Sequence, residues 1–302
     1  MKNFKRCLVT GGAGFIGSHL TKRLLKEGRA VTVIDDLSEG KWENLPKHRN
    51  LVKHEGSILD NMSKLVAGQD VIFHLAALPR LQRSLDDPWQ THRVNVDGTL
   101  NLLLTAKKHK IKRFIFASSS SVYGIQKRLP FSESMRPNPL VPYSLHKLVG
   151  EEYCKMFSDL WGLGTISLRY FNVYGPRMGS DSPYANLIPK FIKLLSQDKT
   201  PTINGDGKQT RDFTYVSDVV SATLLAAESH LCGKVFNIGF GKSVSVNEVA
   251  SAINRLMGKN IKPIHGPALV ESKASLSSSL KARRDLGWKP KVDLEKGLRM
   301  MI

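Results

Sequence analysis

Short apolar runs alternate with amphipathic segments along the first half of this chain. Arg6–Thr10, Ala30–Ile34, Leu51–His54, Val71–Leu75, Phe114–Ala117 and Thr165–Tyr170 each read as a compact, mostly apolar stretch. Runs of that kind, lacking the polar alternation of a half-exposed strand, predict strands covered on both faces and hence a parallel sheet. Between them, apolar positions recur with helical spacing over Phe15–Glu27, Pro88–Lys108 and Tyr143–Leu160. Strand and crossover helix in alternation, with right-handed connections, predict an α/β fold: a doubly wound parallel Rossmann sheet.

The texture changes after Gly175-Pro176. Pro183, Pro189, Pro201, Gly205 and Gly207 cut the chain into short elements and predict a smaller α/β substrate-binding lobe. A helix near Val216–Glu228 and a strand over Val235–Ile238 return to the main sheet, and from Ser243 onward the pattern reads helix, strand, helix. The expected division is 1–175 plus about 213–240 for the dinucleotide-binding domain, and about 176–212 plus 241–302 for the lobe. No internal repeat is visible, and the serines of Ser275–Ser279 are too few for a low-complexity segment.

Composition narrows the class. With 302 residues, 41% hydrophobic and 24% charged, the chain reads as an ordinary globular enzyme. No apolar run approaches the roughly 20 residues that cross a bilayer, and the N-terminus enters a strand without the apolar stretch of a signal peptide. Three scattered cysteines, Cys7, Cys154 and Cys232, predict neither a disulfide framework nor a metal site. A cytoplasmic location is expected. The net charge of +19 could serve a nucleic acid or a membrane surface. Its cations are spread along the chain, however, and clusters such as Lys107–Arg113 are short and sit at a helix end, where cations suit the dipole. The expectation is a solvated surface and a diphosphate ligand, with neither nucleic acid nor membrane as partner.

Two motifs carry the chemistry. In Thr10-Gly-Gly-Ala-Gly-Phe-Ile-Gly17, glycines at 11, 14 and 17 follow a strand and open a helix. They supply a tight turn, close approach to a pyrophosphate, and close packing of helix on strand. The helix N-terminus offers free amides to the phosphates. Asp35 ends the second strand, where a carboxylate accepts hydrogen bonds from adenosine ribose hydroxyls and repels a 2′-phosphate, so NAD is expected rather than NADP.

The second motif is Tyr143-Ser-Leu-His-Lys147, which places a phenol and an ammonium on one helix face. A nearby ammonium, aided by a positive nicotinamide ring, is expected to lower the tyrosine pKa from about 10. Tyr143 then acts as the base on an alcohol whose carbon gives up hydride. Ser119, in the hydroxyl-rich strand end Ala117-Ser-Ser-Ser-Ser-Val-Tyr-Gly124, would hold that hydroxyl in line.

With Phe73-His-Leu-Ala-Ala77, Asn95-Val-Asp-Gly98, Leu168-Arg-Tyr-Phe-Asn-Val-Tyr-Gly-Pro176 and Asn204-Gly-Asp-Gly-Lys-Gln-Thr-Arg-Asp-Phe213, the ordered series resembles the extended short-chain dehydrogenase/reductases, in their NAD-dependent nucleotide-sugar epimerase/dehydratase branch. The resemblance covers essentially the whole chain. It implies cofactor contacts from Gly11, Gly14, Phe15, Ile16, Gly17, Asp35, Asp36, Ser57, Ile58, Leu75, Ala76, Ala77, Tyr143, Lys147 and Tyr170, with Lys147 bonding the nicotinamide ribose and Asn95 supporting the backbone of the site. For a UDP-sugar substrate it implies Ser119, Ser120 and Ser121 near the sugar, Asn172 and Arg211 on the diphosphate, and Leu187 and Pro189 at the uracil.

The serines decide the expected reaction. Similar dehydratases carry Asp-Glu after the catalytic hydroxyl, and decarboxylases keep a glutamate; Ser120 and Ser121 cannot ionise near neutrality. C4 epimerisation through a transient 4-keto sugar is therefore expected, with dehydratase, decarboxylase or a non-catalytic NAD-binding protein as alternatives. Arg83 and Ser84 are candidates to meet an acetamido or carboxylate group, a plain surface loop being the other reading. Ser275 falls where a bulky tyrosine narrows the pocket of glucose-restricted relatives. The chain departs from the pattern at Ala268, where relatives place a phosphate-binding arginine within Arg-Pro-Gly-Asp/Glu against Pro267–Glu271 here, and at Ser57, often an aspartate on adenine. Losing that arginine should weaken binding by about 1.5–3 kcal/mol unless Lys273 or His265 compensates. The family dimerises through two long helices, here Pro88–Lys108 and Tyr143–Leu160, so a homodimer is expected.

Overall fold

Residues 4–179, 187–268 and 272–302 are described by a computed structural model. Seven strands form one parallel sheet: β1 (Arg6–Thr10), β2 (Ala30–Asp35), β3 (Leu51–Glu55), β4 (Val71–His74), β5 (Arg113–Ser119), β6 (Gly164–Tyr170) and β7 (Lys234–Ile238). Their order is β7-β6-β5-β4-β1-β2-β3, a doubly wound Rossmann arrangement. After β3 the chain crosses back over β1 to lay down β4, so the winding direction reverses between β1 and β4. Thr10 pairs with His74 there, and the crevice beyond these strand ends is where such sheets bind ligands.

Alternate residues of each strand face opposite sides of the sheet. Cys7 and Val9 of β1 join a core with Leu20 and Leu24 of α1 (Phe15–Lys26), while Leu8 joins the opposite core with Ile72 and Phe114. The same split explains why the runs read as continuously apolar. Strand β3 departs from that reading: it is the edge of the sheet, paired only with β2, and its residues are half-buried or exposed.

A short helix, α2 (Leu81–Asp86), follows β4. The single helix expected over Pro88–Lys108 is interrupted: a helix over Pro88–His92 passes into a π-helical turn, Arg93–Asp97, before α3 (Gly98–Lys108). The wide turn aims Asn95 inward, where it pairs with the Leu78 backbone in both directions, at 2.8 and 3.1 Å. Gly98 then passes so close to Ile58 that a Cβ would lie 2.6 Å from Ile58 Cδ1. This is a single-turn bulge with an identifiable cause.

The longest helix, α4 (Pro142–Trp161), starts with proline in its first turn and ends at Gly162, whose φ of 66° only glycine adopts cheaply. Beyond it lie α5 (Leu187–Ser196), α6 (Val216–Glu228) and α7 (Val246–Leu256), the last opened by a Ser245–Glu248 capping box. Helix α6 covers the main sheet, whereas Ile188, Phe191 and Leu195 of α5 and Val249, Ala250 and Ile253 of α7 build a separate core. Small ladders tie this region together: Thr202–Asn204 with Ile264–Gly266, and Thr210–Asp212 with Ser243–Ser245. A strand thus precedes the helix expected after Ser243. Ala282, Leu286 and Trp288 return to the core under the main sheet.

Candidate active site

One large cleft, about 1530 Å³, runs from the glycine turn after β1 to the segment around Ser275. It exceeds the roughly 300–1,000 Å³ of ordinary small-molecule pockets and suits two ligands lying end to end.

At one end, Gly11 has a φ of 67°, and a Cβ there would meet the Ala76 backbone nitrogen at 2.7 Å. A Cβ on Gly17 would lie 2.1 Å from the Gly11 carbonyl oxygen. The turn therefore has no room for any other residue, and the first turn of α1 has no acidic side chain to occupy its free amides. Asp35 is buried beside it, accepting from Ala13 N and Leu37 N at 2.9 Å each. Burial raises its pKa despite those bonds. Gly11, Gly14, Phe15, Ile16, Gly17, Asp35, Asp36, Ile58, Leu75, Ala76, Ala77 and Tyr170 all line the cleft, so the donors and the carboxylate fit a dinucleotide. His74, held neutral by burial with its pKa pushed down to about 3, bridges Thr10 Oγ1 and Thr99 Oγ1 beneath this wall. Ser57 does not line the cleft: its hydroxyl accepts from Leu59 N and its amide donates to Asp60.

At the middle, the end of β5 and the start of α4 bring Ser119, Tyr143 and Lys147 together on one wall. Lys147 is buried, donates a hydrogen bond to the Ala117 carbonyl at 2.8 Å, and lies 5.9 Å from the centroid of the Tyr143 ring. Burial lowers its pKa to about 8, opposed by the charge on Glu151. Tyr143 differs from expectation. Burial holds its phenol above the ordinary value, although the Ser119 side chain and the Arg80 charge both favour the ionised form. Ser119 accepts from Ser121 N at 3.1 Å, which fixes the serine turn facing the phenol.

The far end collects Asn172, Leu187, Arg211 and Ser275, while Ser120 and Ser121 line the cleft next to Ser119. Asn172 sits at a φ of 28° and donates to the Asp212 carbonyl at 3.1 Å. The hydroxyls of Ser121 and Ser275 are buried without a partner. Several expected contacts lie elsewhere. Pro189 is turned inward on α5, because a residue two along from Leu187 points away from the face that Leu187 presents. Arg83 pairs with Glu39 at 2.9 Å instead of facing the cleft. Ser84 is fully buried; its hydroxyl donates to Leu81 O and accepts from Tyr143 N, bracing α2 against α4. Lys273 is exposed outside the cleft, and His265 bonds Gly205 O, so neither faces a diphosphate in place of Ala268. Pro183 and Glu271 lie outside the described residues.

Arg80 and Arg177 line the cleft and were not singled out from sequence. Arg177 donates to Asn44 O at 3.0 Å from a φ of 67°. Its place directly after Gly175-Pro176 was the available signal; no pattern announces a left-handed arginine.

Residues 7–239 match the model of the NAD dependent epimerase/dehydratase family. A UDP-glucose 4-epimerase of Mycolicibacterium smegmatis is 40% identical, over 97% of this chain and 96% of its own length. A UDP-N-acetyl-alpha-D-glucosaminuronate decarboxylase of Bacillus cytotoxicus is 42% identical over 87% of this chain and 84% of its own. Among solved structures, the UDP-N-acetylglucosamine 4-epimerase from Methanobrevibacter ruminantium M1, in complex with UDP-N-acetylmuramic acid, superposes with a TM-score of 0.96 at 38% identity, covering 100% of this chain and 97% of that one.

Proposed function

Because the chain belongs to the NAD-dependent epimerase/dehydratase family, we propose that it inverts C4 of a UDP-sugar. The observation that carries this reading is the convergence of Ser119, Tyr143 and Lys147 in one cleft with the glycine turn. Bound NAD supplies the hydride acceptor and, once reduced, the donor for the sugar carbon. Tyr143 takes the proton of the C4 hydroxyl and returns it to the inverted product, while Ser119 holds that oxygen in line. Ser120 and Ser121 offer hydroxyls where elimination or carboxyl loss would call on ionisable groups. Asn172 and Arg211 are proposed to grip the diphosphate, leaving the sugar free to turn over between the two hydride transfers.

We assign residues 1–175 and about 213–240 to the cofactor domain and the remainder to the substrate lobe, except that 282–288 packs with the former. A homodimer through α3 and α4 is supported by the exposed Leu104, Leu145, Met156, Leu160 and Trp161 on those helices. Among the described residues no helix is long and apolar enough to cross a membrane.

Incubation of the NAD-loaded protein with UDP-glucose, UDP-N-acetylglucosamine and UDP-glucuronate, followed by chromatography and mass measurement, tests the reaction. An isomer of unchanged mass is expected; loss of water or of carbon dioxide would make it a dehydratase or a decarboxylase. Tyr143→Phe should still bind NAD while turnover falls by about 10²- to 10⁴-fold.

A further inference from the structure

Arg80 joins β4 to α2 with a φ of 92°. A non-glycine residue held at that φ is strained. Arg80 lines the same cleft as Ser119, Ser121 and Tyr143. There its Nε is buried without a hydrogen-bond partner. Two other cations of the cleft have backbone partners: Lys147 bonds Ala117 O and Arg177 bonds Asn44 O. Arg83, three residues on, has Glu39. A buried, unpartnered donor on a guanidinium is unfavourable unless a ligand completes it.

The ligand is identified by chemistry. Arg80 acts electrostatically on the Tyr143 phenol, so its charge lies toward the reacting end of the cleft. On the 4-epimerase reading, on which this inference rests, Tyr143 meets the C4 hydroxyl. In a hexuronic acid the carbon next to C4 bears a carboxylate, the group a guanidinium binds most strongly and in a two-pronged fashion. The buried, unpartnered hydroxyl of Ser121 adds a donor in the same cleft. We propose that Arg80 is a specificity-determining residue that recognises a carboxylate on the sugar, making nucleotide hexuronates the preferred substrate class over neutral hexoses.

The test compares NAD-loaded wild type with Arg80→Gly and Arg80→Met. The glycine variant suits the backbone at that φ and keeps the fold. Dissociation constants for UDP-glucuronate and UDP-glucose are measured by calorimetry, alongside epimer formation from each. Wild type should bind UDP-glucuronate more tightly, and that preference should shrink by about 10- to 100-fold in both variants, the scale of hydrogen bonds to a charged group. Equal weakening for the two ligands would make Arg80 a supporting residue only, and an unchanged preference would remove it from recognition; either overturns the proposal. Epimerisation of UDP-glucose without any preference for the acid sugar leaves the 4-epimerase reading standing while the Arg80 proposal fails. Binding preference with no epimer formed does the reverse.

Discussion

Lys147 Nζ donates a 2.8 Å hydrogen bond to the carbonyl of Ala117, two residues before Ser119. The bond ties the start of α4 to the end of β5, the two elements that carry the proposed acid–base chemistry. Burial brings the ammonium down to about 8 and holds the Tyr143 phenol above its ordinary value. The pair therefore loses its first proton near the ammonium's pKa, and that ionisation belongs to the pair, not to either side chain.

The expected consequence is a rise of kcat/KM with pH through a midpoint no higher than about 8. In Lys147→Met only the phenol remains to titrate, so the midpoint should move upward toward the raised tyrosine value. The rate at neutral pH should fall about a hundredfold or more. A variant profile with an unmoved midpoint would show that Lys147 is not part of the titrating pair. Full pH profiles of both proteins decide it.

The glycine turn makes a sharper steric prediction. A Cβ at Gly17 meets backbone, 2.1 Å from the Gly11 oxygen, and backbone has no rotamer to move aside. Gly17→Ala must push the α1 N-terminus off the turn, moving the amides that would face a pyrophosphate. Overpacking of this kind costs about 1–3 kcal/mol, so NAD affinity should fall roughly tenfold to a hundredfold. Calorimetric titration with NAD reads this directly. The comparison variant is Gly28→Ala: nothing lies within 4 Å of its Cβ, although its φ of 78° strains the backbone. Its stability should drop while NAD affinity stays within about twofold.

Where sequence was informative, it was so because the physics is local. Gly11, Gly14 and Gly17 announce themselves, since a tight strand–helix turn against Ala76 tolerates nothing else. Tyr143 and Lys147 share a helix face by spacing alone. The edge position of β3 was not legible, because exposure depends on which strands pair, and Leu51–His54 looks like any other run. The break in the Pro88–Lys108 helix was hidden for a similar reason: it exists because Asn95 reaches Leu78 across the fold. Ser84 and Arg83 were misplaced for want of one fact, that Leu81–Asp86 is helical and turns Ser84 toward the Tyr143 amide.

Asp212 gives a stability prediction with a definite sign. Its carboxylate is fully buried, accepting amides from Phe240, Gly241 and Ser277, yet burial raises its pKa from 3.8 to about 6. The folded state therefore holds that proton more tightly than the unfolded chain between pH 4 and 6. The stabilisation is fully present below the unfolded pKa and is lost as pH rises through the folded one. Two pK units amount to roughly 3 kcal/mol. Denaturant unfolding of wild type and Asp212→Asn at pH 4 and 7 should show wild type losing about that much more over the interval. Parallel pH dependences would mean that the carboxylate does not titrate in this window.

Glu151 lies on α4 one turn beyond Lys147 and is buried with Arg169 of β6, which it meets through three hydrogen bonds of 2.6 to 3.2 Å. Ser118 of β5, the neighbour of Ser119, donates to the same carboxylate. One acid thus fixes α4 against two adjacent strands under the catalytic wall, and the ion pair raises the pKa of Arg169 despite its burial. Removing one member of a buried pair leaves the other charge uncompensated, a loss of about 3–5 kcal/mol, whereas replacing both with apolar groups is often close to neutral. Glu151→Gln should therefore destabilise the protein by about that amount in denaturant melts. The double variant Glu151→Leu, Arg169→Met should recover most of it. Its turnover should nonetheless stay below wild type, because the hydrogen bond that holds Ser118, and with it Ser119, toward α4 is gone. Full recovery of kcat in the double variant would assign Glu151 to stability alone.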